Sequence, residues 1–334
     1  MEDISMCIGN GIRLGTAVLL GMALSSGVSH ATDNNWPERP ITLIVPFSPG
    51  GITDTLARST AERMSKAVGQ AIVVQNRPGA SSTIGANFVS RAPADGYTVL
   101  LASDSTNTLS PLLYKNVKYT FEGDFDAIGE IGYTPFALVV NPSLPANDVH
   151  GFVEYARAHP GKIDYASTGT GGAYHLAGEL LADQNNIKLT HIPYKGGGDF
   201  IVSLLNGDTQ AVFGALVTFA PHIAAGKLRA LAVSADQRLA AFPKIPTFKE
   251  SGFPEYSAQA RFGLTVPKGT PKDVRDKLTA ALNSALQDQS FRSQFESEGV
   301  NLSEHTSADD YINNTKADAA KWSLLVRKLN ITLE

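Results

Sequence analysis

Short β-branched apolar runs alternate with segments of helical periodicity along most of the chain. Ile41–Val45 is a continuous apolar run ending at Pro46, as expected of a strand buried on both faces. From Asp54 to Val68, Leu56, Ala57, Ala61, Met64 and Val68 recur at helical spacing, and Gly69 stops the helix. Ala71–Val74 and Thr98–Ala102 predict further strands, with a short helix between them at Ser82–Arg91. This rhythm predicts a mostly parallel sheet covered by helices.

Phe136–Val140 predicts a strand closed by Asn141-Pro142, after which the rhythm restarts. Helices are expected at Asp148–His159, Gly172–Gln184 and Asp199–Leu205, and strands at Ile163–Ser167, Leu189–Ile192, Ala211–Gly214 and Leu228–Val233. The Pro-rich stretch Phe242–Pro254 breaks the pattern, and Phe262–Val266 reads as a strand. Helices Lys272–Gln287, Ser290–Glu298 and Ala308–Leu329 complete the chain. Two βα blocks and a helical tail predict two lobes, with crossings at Phe136–Val140 and Gln259–Val266. The boundaries are 32–137 plus 260–334 for the first lobe and 138–259 for the second.

The N-terminus departs from this pattern. Arg13 precedes an apolar run, Leu14–Leu24, followed by small residues through Ala31. That layout predicts an export signal over residues 1–31, cleaved near Ala31. The run is too short to span a bilayer, which needs about 20 residues. Cleavage would remove Cys7, the single cysteine, so neither a disulfide nor a cysteine-based metal site is expected. The mature chain is expected outside the cytoplasm. A length of 334 residues fits two domains at ~150 residues each. The formal charge of −4 gives no basic field, which argues against nucleic acid.

Candidate chemistry lies in Gly-rich turns that follow strands and open helices. The first runs through Phe47, Ser48, Pro49, Gly50 and Gly51 to Asp54; the second through Thr168, Gly169, Thr170, Gly171 and Gly172. Glycines let the backbone approach a ligand. The helix start leaves N–H groups unpaired at the positive end of the helix dipole, so such a turn binds an anion without a basic side chain. Asp54 is expected to cap its helix or orient the loop from behind. Tyr194 and Lys195 in a third turn, and Ser103, Ser105 and Asn107 in a fourth, also follow strands. Ligands of open parallel sheets sit outside these carboxyl ends. Neither nucleotide signature, G-x-x-x-x-G-K-[ST] or G-x-G-x-x-G, is present.

Several of these segments, taken in order, resemble the Bug family, the solute-binding proteins of tripartite tricarboxylate transporters. They are VPFSPGGITDTLAR (Val45–Arg58), the run Val73–Ser103, YASTGTGGAYHLAGELL (Tyr165–Leu181), HIPYKGGG (His191–Gly198), GKLRALAV (Gly226–Val233), PTFKESGFP (Pro246–Pro254) and VPKGTP (Val266–Pro271). The resemblance implies an α/β, two-lobed periplasmic-binding-protein-like fold (type II), each lobe a mostly parallel sheet flanked by helices, with a ligand cleft between. It implies a small carboxylate ligand held by backbone N–H groups at Phe47–Asp54 and Thr168–Tyr174, with secondary contacts at Ser103–Asn107 and Tyr194–Gly198. Membrane subunits of the transporter are the implied partner. No cofactor or metal is expected, and the protein is taken as a monomer.

Two positions depart from the family. Thr209-Gln210 stand where Val-Asp is usual, and Arg261 stands where an aromatic residue is common. Arg261 is read either as a solvated surface charge or as a bidentate anchor for a second ligand carboxylate.

Catalytic signatures are weak. Gly79-Ala80-Ser81-Ser82-Thr83 fails the G-x-S-x-G pattern at its last position. The seven histidines include neither an H-x-x-x-H nor an H-E-x-x-H pair. His175 is expected to pack or cap in the second ligand helix rather than to touch ligand. The main expectation is therefore a non-enzymatic carboxylate-binding protein. The alternatives are a secreted α/β hydrolase-like enzyme on a small acid or ester, and a carboxylate-sensing partner of a membrane sensor.

Overall fold

In the computed structural model, residues 35–194 and 198–333 are described, and from Pro37 onward they form one compact unit. The expected export signal and Lys195 lie outside the described residues. Chain order begins β1 (Ile41–Val45), α1 (Ile52–Val68), β2 (Ile72–Asn76), α2 (Thr83–Ser90) and β3 (Thr98–Ser103). A π-helical turn, Ser105–Leu109, leads into α3 (Ser110–Leu113) and α4 (Phe121–Asp124). Then come β4 (Phe125–Val140), α5 (Val149–Ala158), β5 (Asp164–Ser167), α6 (Ala173–Asn185), β6 (Thr190–Pro193), α7 (Asp199–Asn206), β7 (Ala211–Ala215), α8 (Leu216–Ala224) and β8 (Arg229–Val233). The last are β9 (Gln259–Pro267), α9 (Lys272–Leu286), α10 (Gln289–Ser297), β10 (Asn301–Leu302) and α11 (Ala308–Leu329).

The sheet runs β2-β1-β3-β9-β4-β7-β5-β6, with β8 and β10 also on β4. Each half contains a parallel trio: β1 pairs with β2 and β3, and β5 with β6 and β7. Strands β4 and β9 run antiparallel to their neighbours and join the halves. The sheet is thus more mixed than the expected mostly parallel arrangement.

The crossing strand is longer than its apolar signature. The sequence pattern marks Phe136–Val140, whereas β4 begins at Phe125. Its first part pairs with β9 up to Pro135↔Gln259, and its last five residues pair with β7. The glycines and Glu130 in FDAIGEIGYTP hide that first part from a hydrophobicity reading. Pairing shifts register between Ala127 and Gly129 and between Glu130 and Gly132, so regular alternation is lost there.

The C-terminal helix serves both halves. Near its start Tyr311 packs edge-on against Phe121, while Trp322, Leu325 and Val326 join the core built around Phe136, Phe152 and Tyr165. The tail expected to return to the first lobe therefore also braces the second. Helix α8 gives no clear sequence signal, because Pro221 lies inside it and its N-cap, Ala215, is not a capping residue.

Candidate functional site

Strands β1, β3, β5 and β7 all end at one cavity of about 530 Å3. This is the carboxyl edge at which open α/β sheets hold ligands. Phe47, Ile52 and Thr53 enter from the β1–α1 turn; Ser103, Asp104 and Ser105 from the end of β3; and Thr168, Gly172, Ala173 and Tyr174 from the β5–α6 turn. Ala215, Val217 and Thr218 come from the β7–α8 turn, and Thr134, Phe136, Ala260 and Phe262 from β4 and β9.

Three helix starts meet in this cavity: those of α1, α6 and α8. Their N-caps are Gly51, Gly172 and Ala215, and none accepts a hydrogen bond through a side chain. Their first-turn N–H groups therefore lack side-chain capping partners, and each start carries positive dipole charge. Among the described residues lining the cavity there is no lysine or arginine, and Asp104 is the sole carboxylic acid. The remaining polar lining consists mainly of hydroxyls.

The first turn is braced from behind. Asp54 is buried, and its Oδ2 accepts from Gly50 N at 3.1 Å and from Arg58 Nε at 3.0 Å. Asn76 Nδ2 donates to Asp54 Oδ1 at 2.8 Å and to Phe47 O at 3.0 Å. The bond from Arg58, helped by those from Asn76 and Gly50, holds the Asp54 carboxyl down at about 2. Of the expected first-turn residues, Phe47 reaches the cavity. Ser48, Pro49, Gly50 and Gly51 are exposed, and Asp54 acts through the loop.

The second turn rests on two stacked imidazoles. His175 and His191 have ring centroids 3.8 Å apart. Gly171 N donates to His175 Nδ1 at 2.9 Å, and Ser167 Oγ lies 2.6 Å from His191 Nε2. Burial lowers both imidazoles to about 4, and for His175 the neighbouring His191 adds to the effect. Gly171 has φ +77°, and a Cβ there would come within 2.9 Å of Leu333, so both conformation and space require glycine. Gly169, Thr170 and Gly171 line a side pocket of about 150 Å3 that shares Ser81, Ser105, Thr168 and Gly172 with the main cavity.

The family model for the tripartite tricarboxylate transporter family receptor matches residues 56–331. The chain belongs to this family. It is 35% identical over 292 residues to Protein BugT of Bordetella pertussis, covering 87% of this chain and 90% of BugT. An R. palustris protein solved with adipate is 32% identical, with a TM-score of 0.77, covering 89% of this chain and 99% of that one. MatC of Rhodopseudomonas palustris, solved with bound malate, is 28% identical, with a TM-score of 0.73, covering 87% and 99%. The Bug resemblance and the periplasmic-binding-protein fold are thereby established.

Within this receptor-family chain, several expected contacts lie elsewhere. Asn107 is buried and donates through Nδ2 to Tyr311 Oη at 2.7 Å. The Tyr194 hydroxyl donates to Ser203 Oγ at 2.6 Å, and neither residue lines the cavity. Arg261 is buried rather than a surface charge, and it does not line the main cavity; it lines a separate one of about 330 Å3 with Glu130, Tyr133 and Gln259. Strand alternation turns it away from Ala260 and Phe262, which face the main cavity. Its Nη1 donates to Glu130 Oε2 at 2.6 Å and its Nε to Asp318 Oδ2 at 3.1 Å. Although burial opposes its charge, Glu130 and Asp318 hold the guanidinium protonated. The other family departure is also structural: Thr209 Oγ1 lies 3.1 Å from Ser203 Oγ, and Asp164 N donates to Gln210 Oε1 at 2.9 Å.

Sequence reasoning missed Ser81, Thr134, Ala215, Val217 and Thr218. The β7–α8 turn carries no glycine-rich signal after Gly214. Ser81 reaches the cavity through an unusual backbone: Ala80, Ser81 and Ser82 all have positive φ. That is the left-handed region disfavoured for side chains with a Cβ, and the residue types give no hint of it.

Proposed function

We propose that this receptor-family chain is a periplasmic solute-binding protein that captures a small carboxylate. The cavity between the sheet halves receives the ligand, whose carboxylate docks on the helix starts. Closure about Phe136–Val140 and Gln259–Val266 brings the lobes, residues 32–137 plus 260–334 and 138–259, around it. The export signal delivers the chain to the periplasm, and the closed form passes its ligand to membrane subunits of a tripartite tricarboxylate transporter. The protein acts by binding rather than by turnover, as a monomer.

One observation carries this reading: three uncapped helix starts meet in one cavity that lacks a basic side chain among its described lining residues. Backbone N–H groups and dipoles provide the positive potential that a carboxylate needs. Relatives solved with adipate and malate support the same ligand chemistry. Closure is favoured to the extent that ligand contacts are stronger in the closed state. The Ser167–His191 contact is the feature most like a catalytic pair. However, Ser167 is fully buried beneath the turn and does not line the cavity, so it organises the loop.

Thermal unfolding of the ligand-free protein tests the proposal. In a panel of mono-, di-, tri- and aromatic carboxylates, at least one should raise Tm, with a stabilisation of about 2.7 kcal/mol at a hundred times its Kd. A panel that leaves Tm unmoved throughout contradicts it.

A further inference from the structure

Asp104 is an acidic residue in the wall of a cavity that otherwise suits an anion. We propose that Asp104 is a specificity residue that selects carboxylates also bearing a positively charged nitrogen, amino acids in the broad sense, over dicarboxylates. The inference rests on the carboxylate reading above and narrows its ligand class.

The position of Asp104 is fixed by its neighbours. It follows β3 directly, is buried, and accepts Arg261 N through Oδ2 at 2.9 Å. Among the described residues, its Oδ1 accepts no hydrogen bond. The guanidinium of Arg261 is already committed to Glu130 and Asp318, and the Lys321 ammonium donates to Asp318 and to Ser257 O. Neither nearby cation is paired with the Asp104 carboxylate.

Burial and the charge of Asp318 raise the Asp104 carboxyl well above the ordinary carboxylate range, while the bond from Arg261 N and the charges of Arg261 and Lys321 act in the opposite direction. Its ionised form is therefore under-compensated where it stands. A ligand ammonium would supply the missing partner, and the resulting bond would be a charge-assisted one. While Asp104 is ionised, the state a ligand ammonium would favour, a second ligand carboxylate near the same oxygen would meet like charge in a site shielded from water. Binding one carboxylate on the helix starts and one ammonium at Asp104 would leave no charge of the ligand unpaired.

The rest of the cavity is consistent with this division. Phe47, Phe136 and Phe262 give it an apolar body, while the hydroxyls of Thr53, Ser103 and Thr218 can donate as well as accept. Among the described lining residues, none offers a cation to a second carboxylate.

Calorimetric titration with matched series tests the proposal. The probes are amino acids of three to six carbons, with the amine at the 2-position or the chain end, and the unsubstituted acids and α,ω-diacids of equal length. In the wild-type protein, an amino acid should bind at least tenfold more tightly than its unsubstituted and diacid counterparts. Asp104→Asn retains an acceptor for Arg261 N; it should abolish that preference and improve diacid binding. If diacids or unsubstituted acids bind more tightly at every length, or if Asp104→Asn leaves the order unaltered, the proposal fails while the carboxylate reading stands. If none of the carboxylates binds, both fail. Should Asp104→Asn not fold, the wild-type ranking alone decides the matter.

Discussion

At Asp54, one carboxylate gathers donors from Gly50, Arg58 and Asn76, fixing the loop that opens α1. Asp54→Ala should leave the fold intact and weaken carboxylate binding about tenfold, the effect of losing about 1–2 kcal/mol of charge-assisted hydrogen bonding. Unchanged affinity by calorimetry would remove Asp54 from the binding machinery. Its folded carboxyl lies at about 2, below the ordinary 3.8. Its contribution to stability is therefore present above pH 3.8 and is lost as pH falls through 2. Arg261 has a different role. Arg261→Ala would leave Glu130 and Asp318 buried without their shared cation, and urea unfolding should register a loss of about 3–5 kcal/mol. A variant of wild-type stability with altered ligand preference would instead return Arg261 to the cavity. Asp54 attracts notice in the sequence as part of a ligand turn, and Arg261 as a charge where the family commonly has an aromatic residue. Which way each side chain points depends on β-register and on partners as distant as Asp318, and neither is encoded locally.

Secondary elements decide how well the second turn is held. The Ser167–Gly172 loop depends on neutral imidazoles, because His175 Nδ1 must accept from Gly171 N. Both histidines lie at about 4 in the folded chain against an ordinary 6.5. As pH falls from 6.5 to 4 the unfolded chain takes up protons first, so folding stability should decline across that window. An NMR titration should place both imidazole midpoints near 4; midpoints near 6.5 would contradict the packing under the loop. The sequence marks the strand-turn-helix order of β1–α1 and β5–α6 because each turn combines glycines with a following segment of helical periodicity, and β1 is in addition a continuous apolar run. It conceals the β7–α8 turn, where alanine caps the helix, and the first half of β4, where glycines and a buried Glu130 interrupt the apolar pattern.

For the whole molecule, the distribution of these elements explains the functional reading. Strands β1 and β3 of one parallel trio and β5 and β7 of the other present their carboxyl ends to one cavity, and β4, β9 and α11 tie the halves together. The two-block rhythm and the ligand turns were legible along the chain, since they depend on local periodicity and glycine. The convergence of α8 with α1 and α6, and the placement of Asp104 in the wall, arise from long-range strand pairing. The central claim is that a carboxylate sits on helix starts rather than on a basic side chain. A crystal structure with a bound carboxylate tests it most directly. The carboxylate oxygens should lie within about 3.2 Å of backbone N–H groups that open α1, α6 or α8. A carboxylate bound instead to the Arg261 guanidinium, away from those helix starts, would contradict the account.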